Sequence, residues 1–259
     1  MPVLQNKDVT LNYATFGDSS NPALIFSNSL GTRYQMWQPQ IDALQDDYFI
    51  ICYDTRGHGL SSAPTGPYTL AQLGQDVIDL LDALNITQAY FCGISMGGMT
   101  GQWLAINHPD RFKHLLVCNT AAKIGTEAPW LERATLVREK GLGDIAKTAA
   151  SRWFTTAFID THPETVKQLS DALAAGSADG YASCCEALST ADTRDQLKDI
   201  KVGVTVVAGS QDPVTTVADG QYMVDNITNA TLATIDASHI SNIEQPEVFT
   251  KLICDYLNH

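Results

Sequence analysis

Apolar, β-branched and aromatic runs recur along the chain at Leu11 to Phe16, Ala23 to Phe26, Phe49 to Tyr53, Ala89 to Cys92, Leu115 to Cys118, Val202 to Ala208 and Ala230 to Ile235. Each run is short and bounded by turn-forming residues, the pattern of a strand covered on both faces. Between many of them the spacing changes to that of a helix. In Leu70 to Leu84 the positions Leu73, Val77, Leu80, Leu81 and Leu84 fall on one helical face. Strands alternating with amphipathic helices predict an α/β domain: a mostly parallel central sheet with helices on both faces.

The rhythm breaks between Lys123 and Asp192. Helix-like segments follow one another there, at Trp130 to Lys140, Asp144 to Phe154, Pro163 to Ala175 and Asp179 to Leu188, with no strand-like run between them. The expected organisation is a core domain of residues 1–122 and 193–259 with a helical cap, 123–192, inserted over the C-terminal edge of the sheet as a lid.

A chain of 259 residues suffices for one large domain carrying such an insertion. Its formal net charge of -13 argues against nucleic acid or an anionic membrane surface as a partner, because the summed field repels phosphate. The same field opposes an anionic small molecule unless a local cation offsets it. The N-terminus has no basic stretch leading into an apolar one, and no apolar run is long enough to span a bilayer, so a cytoplasmic protein is expected. The six cysteines sit mostly in apolar runs, with neither CxxC nor Cys/His ligand spacing. They are expected to be free thiols, with no metal site, and the adjacent Cys184 and Cys185 fit helix packing.

Candidate chemistry centres on Gly93-Ile94-Ser95-Met96-Gly97, which follows a strand-like run and precedes a helix-like one. In that context the glycines permit a strained turn that presents the Ser95 hydroxyl above the sheet, beside a helix N-terminus. A serine hydroxyl is a weak nucleophile at neutral pH; it needs a base, and the base needs an orienting carboxylate. Of the six histidines, His259 is terminal, His108 and His114 lie away from the C-terminal ends of strands, and His162 falls in the cap. His58, in the turn TRGHG, reads as a loop histidine. His239, in the loop DASHISN after the last strand, is the expected base. For the acid, Asp212 stands in a tight turn directly after the strand KVGVTVVAG. The competing strand end holds Asn119, which carries no charge to stabilise an imidazolium. Asp54 precedes the nucleophile and is expected to organise its own turn, and Asp236 is a reserve candidate. The order Ser95, Asp212, His239 on alternating strands and helices is that of an α/β-hydrolase using serine, and serine points to esters, lactones or amides.

Across nearly its whole length the sequence resembles the 3-oxoadipate enol-lactonases of the β-ketoadipate pathway. The matching stretches are SNSLGT, YDTRGHGLSSAPTGPYTL, FCGISMGGMTGQWLA, NTAAKIGT, RWFT, GYASCCEAL and ASHISNIEQPE. GISMGG and DTRGHG recur throughout α/β-hydrolases, whereas SNSLGT, NTAAKIGT and GYASCCEAL are more selective, and the last two flank or lie in the cap. The resemblance implies hydrolysis of the lactone to 3-oxoadipate in aromatic-compound catabolism, without metal or organic cofactor. The chain ends at His259, soon after the histidine segment, so a second domain such as the decarboxylase fused to some members is not expected.

An oxyanion formed at Ser95 requires main-chain donors, one of them the N–H of Met96, the residue after the nucleophile. Related hydrolases often carry His-Gly-x-Gly in the early loop, and alignment of Gly31 makes Leu30 the second donor. The substrate keeps a carboxylate, so a cap cation is expected: Arg133 first, Arg152 second. Trp130, Trp153 and Ser29 are further candidate substrate contacts. Two rival readings use the same residues. One is a broader esterase, lactonase or cofactor-free perhydrolase; the other is a non-catalytic ligand receptor on a hydrolase fold.

Overall fold

The computed structural model describes residues 2–257, so the terminal His259 lies outside the described residues. Its strands are β1 (Val3–Asn6), β2 (Val9–Phe16), β3 (Ala23–Ser27), β4 (Phe49–Tyr53), β5 (Ala89–Ile94), β6 (Phe112–Cys118), β7 (Gly203–Gly209) and β8 (Ala230–Ile235). They form one eight-stranded sheet in the order β1-β2-β4-β3-β5-β6-β7-β8. β1 and β2 pair antiparallel with each other, and β2 pairs antiparallel with β4; every later pairing is parallel. The expected α/β architecture is therefore present.

The continuous apolar runs are explained by burial on two sides. Along β3, Leu24 and Phe26 enter one core with Ile50, Cys52 and Ile94, while Ala23 and Ile25 enter the other with Ile51, Phe91 and Val117. The first core is closed by α1 (Gln38–Leu44), through Ile41 and Leu44, and the second by α2 (Leu70–Ala83), through Val77, Leu80 and Leu81. α2 starts where its sequence directs. Thr69 accepts the Gln72 N–H, and the Gln72 side chain accepts the Thr69 N–H in return, a reciprocal cap. α3 (Met96–Asn107) adds Leu104 and Ala105 to the second core.

Between β6 and β7 the regular elements are helices, chiefly α4 (Glu127–Lys140), α5 (Gly143–Lys147), α6 (Ala150–Trp153), α7 (Thr156–Thr161), α8 (Pro163–Ala174) and α9 (Ala178–Thr190). After β7 come α10 (Val217–Asn226), α11 (Ser241–Glu244) and α12 (Pro246–Leu257). α9 docks onto the turn at Gly57 by direct backbone approach. A Cβ on Gly180 would lie 2.4 Å from the Gly57 Cα, so neither position accepts a side chain without displacement.

Three elements differ from the sequence expectation. β1 has half-exposed, partly polar residues at the sheet edge, with Val3 52% exposed, so no apolar run marks it. The helix expected over Asp144 to Phe154 is broken into α5 and α6, because the Thr148 hydroxyl turns back to the Ile145 carbonyl at 3.2 Å and competes with the helix ladder. α7 is an additional short helix, started by the Thr155 side chain accepting the Phe158 N–H.

The parallel register brings strand ends to a common edge. Ser27 pairs with Gly93, Ile94 and Val207 each pair with Cys118, and Gly209 pairs with Ile235. The loops that leave these ends emerge side by side, where open parallel sheets place their ligand sites.

Candidate active site

Ser95 immediately follows β5 and has φ 59° and ψ -114°, a conformation that L side chains rarely adopt. Such a residue carries about 1–3 kcal/mol of strain and persists only where its surroundings fix it. Here the Ser95 N–H donates to the Cys118 carbonyl at 2.9 Å, and the Ser95 carbonyl accepts from the Thr120 hydroxyl at 2.8 Å. The flanking glycines are demanded by proximity. A Cβ on Gly97 would stand 2.3 Å from the Ser27 carbonyl oxygen, and one on Gly93 would stand 2.5 Å from that of Gly97. The Gly97 N–H also donates to the Asn28 carbonyl at 3.1 Å, which ties the start of α3 to the loop after β3.

His239 Nδ1 lies 2.8 Å from Asp212 Oδ2. The same oxygen accepts from Asn119 Nδ2 at 3.0 Å and from the Thr215 hydroxyl at 2.9 Å, while Oδ1 accepts the Val214 and Thr215 N–H groups. Burial pushes the Asp212 carboxyl up, but the bonds from His239, Asn119 and the backbone outweigh it and hold the group below its ordinary value. Asp212 is therefore an ionised, fully satisfied acceptor. Asp54 instead accepts from Asn12 and from the Leu60 and Tyr34 N–H groups, organising its own turn, and Asp236 accepts from Ser210 and Gln211.

The buried loop from Ser27 to Thr32 is held largely by its side chains. Ser27 shares a hydrogen bond with the Tyr53 hydroxyl, and Asn28 bridges the Tyr53 carbonyl and the Trp37 indole. The Thr32 N–H closes a turn onto the Ser29 carbonyl at 3.1 Å, with Gly31 at φ 82°. That combination is a type II turn, which needs a glycine at its third position. The Gly31 N–H donates to His58 Nε2 at 2.9 Å. His58 is thus a buried support of this loop, a role that its reading as a loop histidine missed. Burial lowers its pKa and favours the neutral ring that can accept.

Ser29, Leu30, Ser95, Trp130, Arg133, Arg152, Trp153, Tyr181 and His239 line one cavity of about 300 Å³. Of the residues expected from sequence to touch substrate, Met96 alone is not part of this lining. Met96 is buried at the first turn of α3, directly beside Ser95. Among the described residues, neither the Leu30 N–H nor the Met96 N–H has a protein acceptor, and Ser95 Oγ makes no hydrogen bond to His239. Nucleophile–base hydrogen bonds often tighten only in the substrate complex.

The wall contributed by α4 and α6 is cationic. The Arg133 guanidinium stacks over the Trp130 ring at 4.8 Å, and Trp130 is fixed by its indole N–H donating to the Ile124 carbonyl at 2.6 Å. Arg152 reaches the Thr148 hydroxyl and the Ile145 carbonyl. Among the described residues no carboxylate pairs with either arginine. Burial, then the nearby Arg133 charge, lowers the Arg152 pKa from its ordinary value, a repulsion that a bound anion would relieve. Burial, chiefly, holds the Tyr181 hydroxyl up at about 12 despite both guanidiniums, so it stays a neutral donor. Among the described residues no cluster of three or more His, Cys, Asp or Glu could hold a metal, and no helix is long and apolar enough to cross a membrane.

Comparison with known proteins places this arrangement in a lineage. Residues 22–246 match the model of the α/β-hydrolase fold family. The chain is 63% identical over 250 residues to 3-oxoadipate enol-lactonase 2 of Acinetobacter baylyi, covering 96% of this chain and 94% of that protein. It is 46% identical over 248 residues to 3-oxoadipate enol-lactonase 1 of the same organism, covering 96% and 93%. The crystal structure of the enol-lactonase from Burkholderia xenovorans superposes with a TM-score of 0.97 at 42% identity, covering 100% of both chains. An elbow serine at the shared edge of a parallel sheet, set in a fold that matches these relatives from end to end, makes this chain a carboxylic-ester hydrolase belonging to the 3-oxoadipate enol-lactonase family of α/β-hydrolases.

Proposed function

We propose that the enzyme opens the ring of 3-oxoadipate enol-lactone to give 3-oxoadipate, with Ser95 as nucleophile, His239 as general base and Asp212 as its orienting carboxylate. The substrate assignment is supported by the names of the Acinetobacter relatives. The observation that carries it is the pairing, in one cavity, of Ser95 and His239 with two arginines that no carboxylate among the described residues neutralises. In a chain of net charge -13, such a wall suits a lactone that keeps a free carboxylate.

His239 takes the Ser95 proton as the oxygen attacks the lactone carbonyl, and Asp212 stabilises the resulting imidazolium. The tetrahedral oxyanion is received by the Leu30 and Met96 N–H groups, each such donor lowering the barrier by about 3 kcal/mol. Collapse breaks the ring C–O bond, and the imidazolium returns its proton to the departing enol oxygen. Water, deprotonated by His239, then attacks the acyl-enzyme; the imidazolium returns that proton to the departing Ser95 oxygen, and the enol of the released diacid relaxes to the ketone. The helical segment 123–192 acts as the cap over this site, with Arg133 and Arg152 reading the carboxylate and Trp130, Trp153 and Ser29 walling the ring.

The test is kcat/KM for the enol-lactone against short p-nitrophenyl esters, with Ser95→Ala as control. Fast lactone turnover that Ser95→Ala abolishes is expected. A strong preference for the short esters would sink the substrate assignment, and tight lactone binding with negligible turnover would indicate a receptor.

A further inference from the structure

Glu244 ends α11 and is buried, 8% exposed, yet among the described residues no cation pairs with it. Its two carboxylate oxygens point to different parts of the molecule. Oε2 accepts the Ser238 N–H at 2.9 Å, one residue before His239. Oε1 accepts the Thr155 N–H at 3.2 Å and, through a very short contact, the Thr155 hydroxyl. A second strap runs parallel: the Ile240 N–H, one residue after His239, donates to the Trp153 carbonyl at 2.9 Å. Both chain neighbours of His239 are therefore tied to residues 153–155, and Trp153 lines the same cavity as His239.

We propose that Glu244 is a positioning residue that fixes His239 against the cap wall, so that one carboxylate sets the separation between the base and the surface holding the substrate. This rests on the reading of His239 as the base. The chemistry requires a carboxylate. Both oxygens face N–H donors, so a glutamine must turn its NH₂ against either Ser238 or Thr155, and an aspartate is too short to span both. A neutral acceptor pair would also hold the Thr155 hydroxyl less firmly than a charge-assisted bond does.

A double-mutant cycle with Glu244→Gln and Thr155→Val tests it, read as kcat and KM on the enol-lactone and on p-nitrophenyl acetate. Misplacing a base by a fraction of its working tolerance costs on the order of tenfold to a hundredfold in rate. The expected result is a kcat loss of that size for Glu244→Gln on both substrates, with KM changed less than about threefold. The double variant should lose no more than the worse single one, and Thr155→Ser should keep near-normal kcat. Lowered thermal stability with unchanged kcat in the folded enzyme would overturn the proposal, as would losses that multiply. His239→Ala is the separate control: if it retains turnover on both esters, the reading of the base fails whatever Glu244 does. p-Nitrophenyl acetate keeps the cycle readable even if the lactone is not the substrate.

Discussion

Asn119 Nδ2 donates to the Asp212 oxygen that also accepts His239 Nδ1, at 3.0 and 2.8 Å respectively. Asn119 stands at the strand end that competes for the acid in the sequence, and in the structure it is a hydrogen-bond donor to Asp212, the proposed acid. Its other bonds extend the brace, because it also donates to the Ser238 carbonyl at 3.0 Å and accepts the Ser241 hydroxyl at 2.5 Å. Asp212→Asn should lower kcat about 10⁴-fold by losing the charge and the correct imidazole tautomer. Asn119→Ala leaves the charge in place and should lower kcat only about tenfold, with KM little changed. Comparable losses in the two variants would reverse the assignment of the acid.

The oxyanion role proposed for Leu30 is open to a direct substitution. Leu30 is the second residue of the type II turn closed by Thr32 N–H onto Ser29, a position at which proline is favoured. Leu30→Pro therefore removes the N–H with little demand on the turn. A loss of about 10²–10³ in kcat, with far-UV circular dichroism unchanged, is expected if that N–H serves the transition state. A kcat within threefold of the parent would show that the oxyanion does not use it.

Much of this site is legible in the chain because its constraints are local. Gly93 and Gly97 are written by steric contact around Ser95, and Asp212 and His239 each follow an apolar run that reads as a strand. The supports are not legible, for a physical reason. His58 meets Gly31 across 27 residues and Glu244 meets Thr155 across 89, and a lone histidine or glutamate carries no sequence signal of such a partner. The same limit applies to the fold. Buried strands announce themselves by apolar runs, whereas β1 sits half-exposed at the sheet edge and α7 depends on a single threonine cap.

The proposed recognition of the substrate carboxylate by Arg133 predicts a substrate-dependent defect. Its guanidinium is held over the Trp130 ring, so its removal loosens the wall as well as deleting a charge. A charge-assisted hydrogen bond contributes about 1.5–3 kcal/mol, so Arg133→Ala should raise KM for the carboxylated lactone roughly tenfold to a hundredfold. KM for a neutral ester should rise far less. Equal increases would assign Arg133 to packing of α4, and Arg133→Lys, which keeps the charge but loses the planar stack, should fall between.

His58 predicts an acid-side loss of stability. The Gly31 N–H needs Nε2 as an acceptor, while Nδ1 lies 3.3 Å from the Arg56 carbonyl, so the folded protein holds the neutral Nδ1–H tautomer. Burial lowers the pKa of His58 below its ordinary 6.5, although the Arg56 carbonyl and Asp54 pull the other way. The unfolded chain then binds the proton more readily than the folded one. The contribution of this histidine is complete above the unfolded value and declines as pH falls from 6.5 through the folded pKa. Urea unfolding followed by tryptophan fluorescence between pH 7.5 and 5 should show this decline. His58→Gln supplies an amide oxygen near the position of Nε2 and cannot titrate, so its stability should fall less steeply over the same interval, even if it is lower at pH 7.5. Parallel slopes for parent and variant would remove His58 as the source and leave the remaining histidines and carboxylates to account for the acid limb.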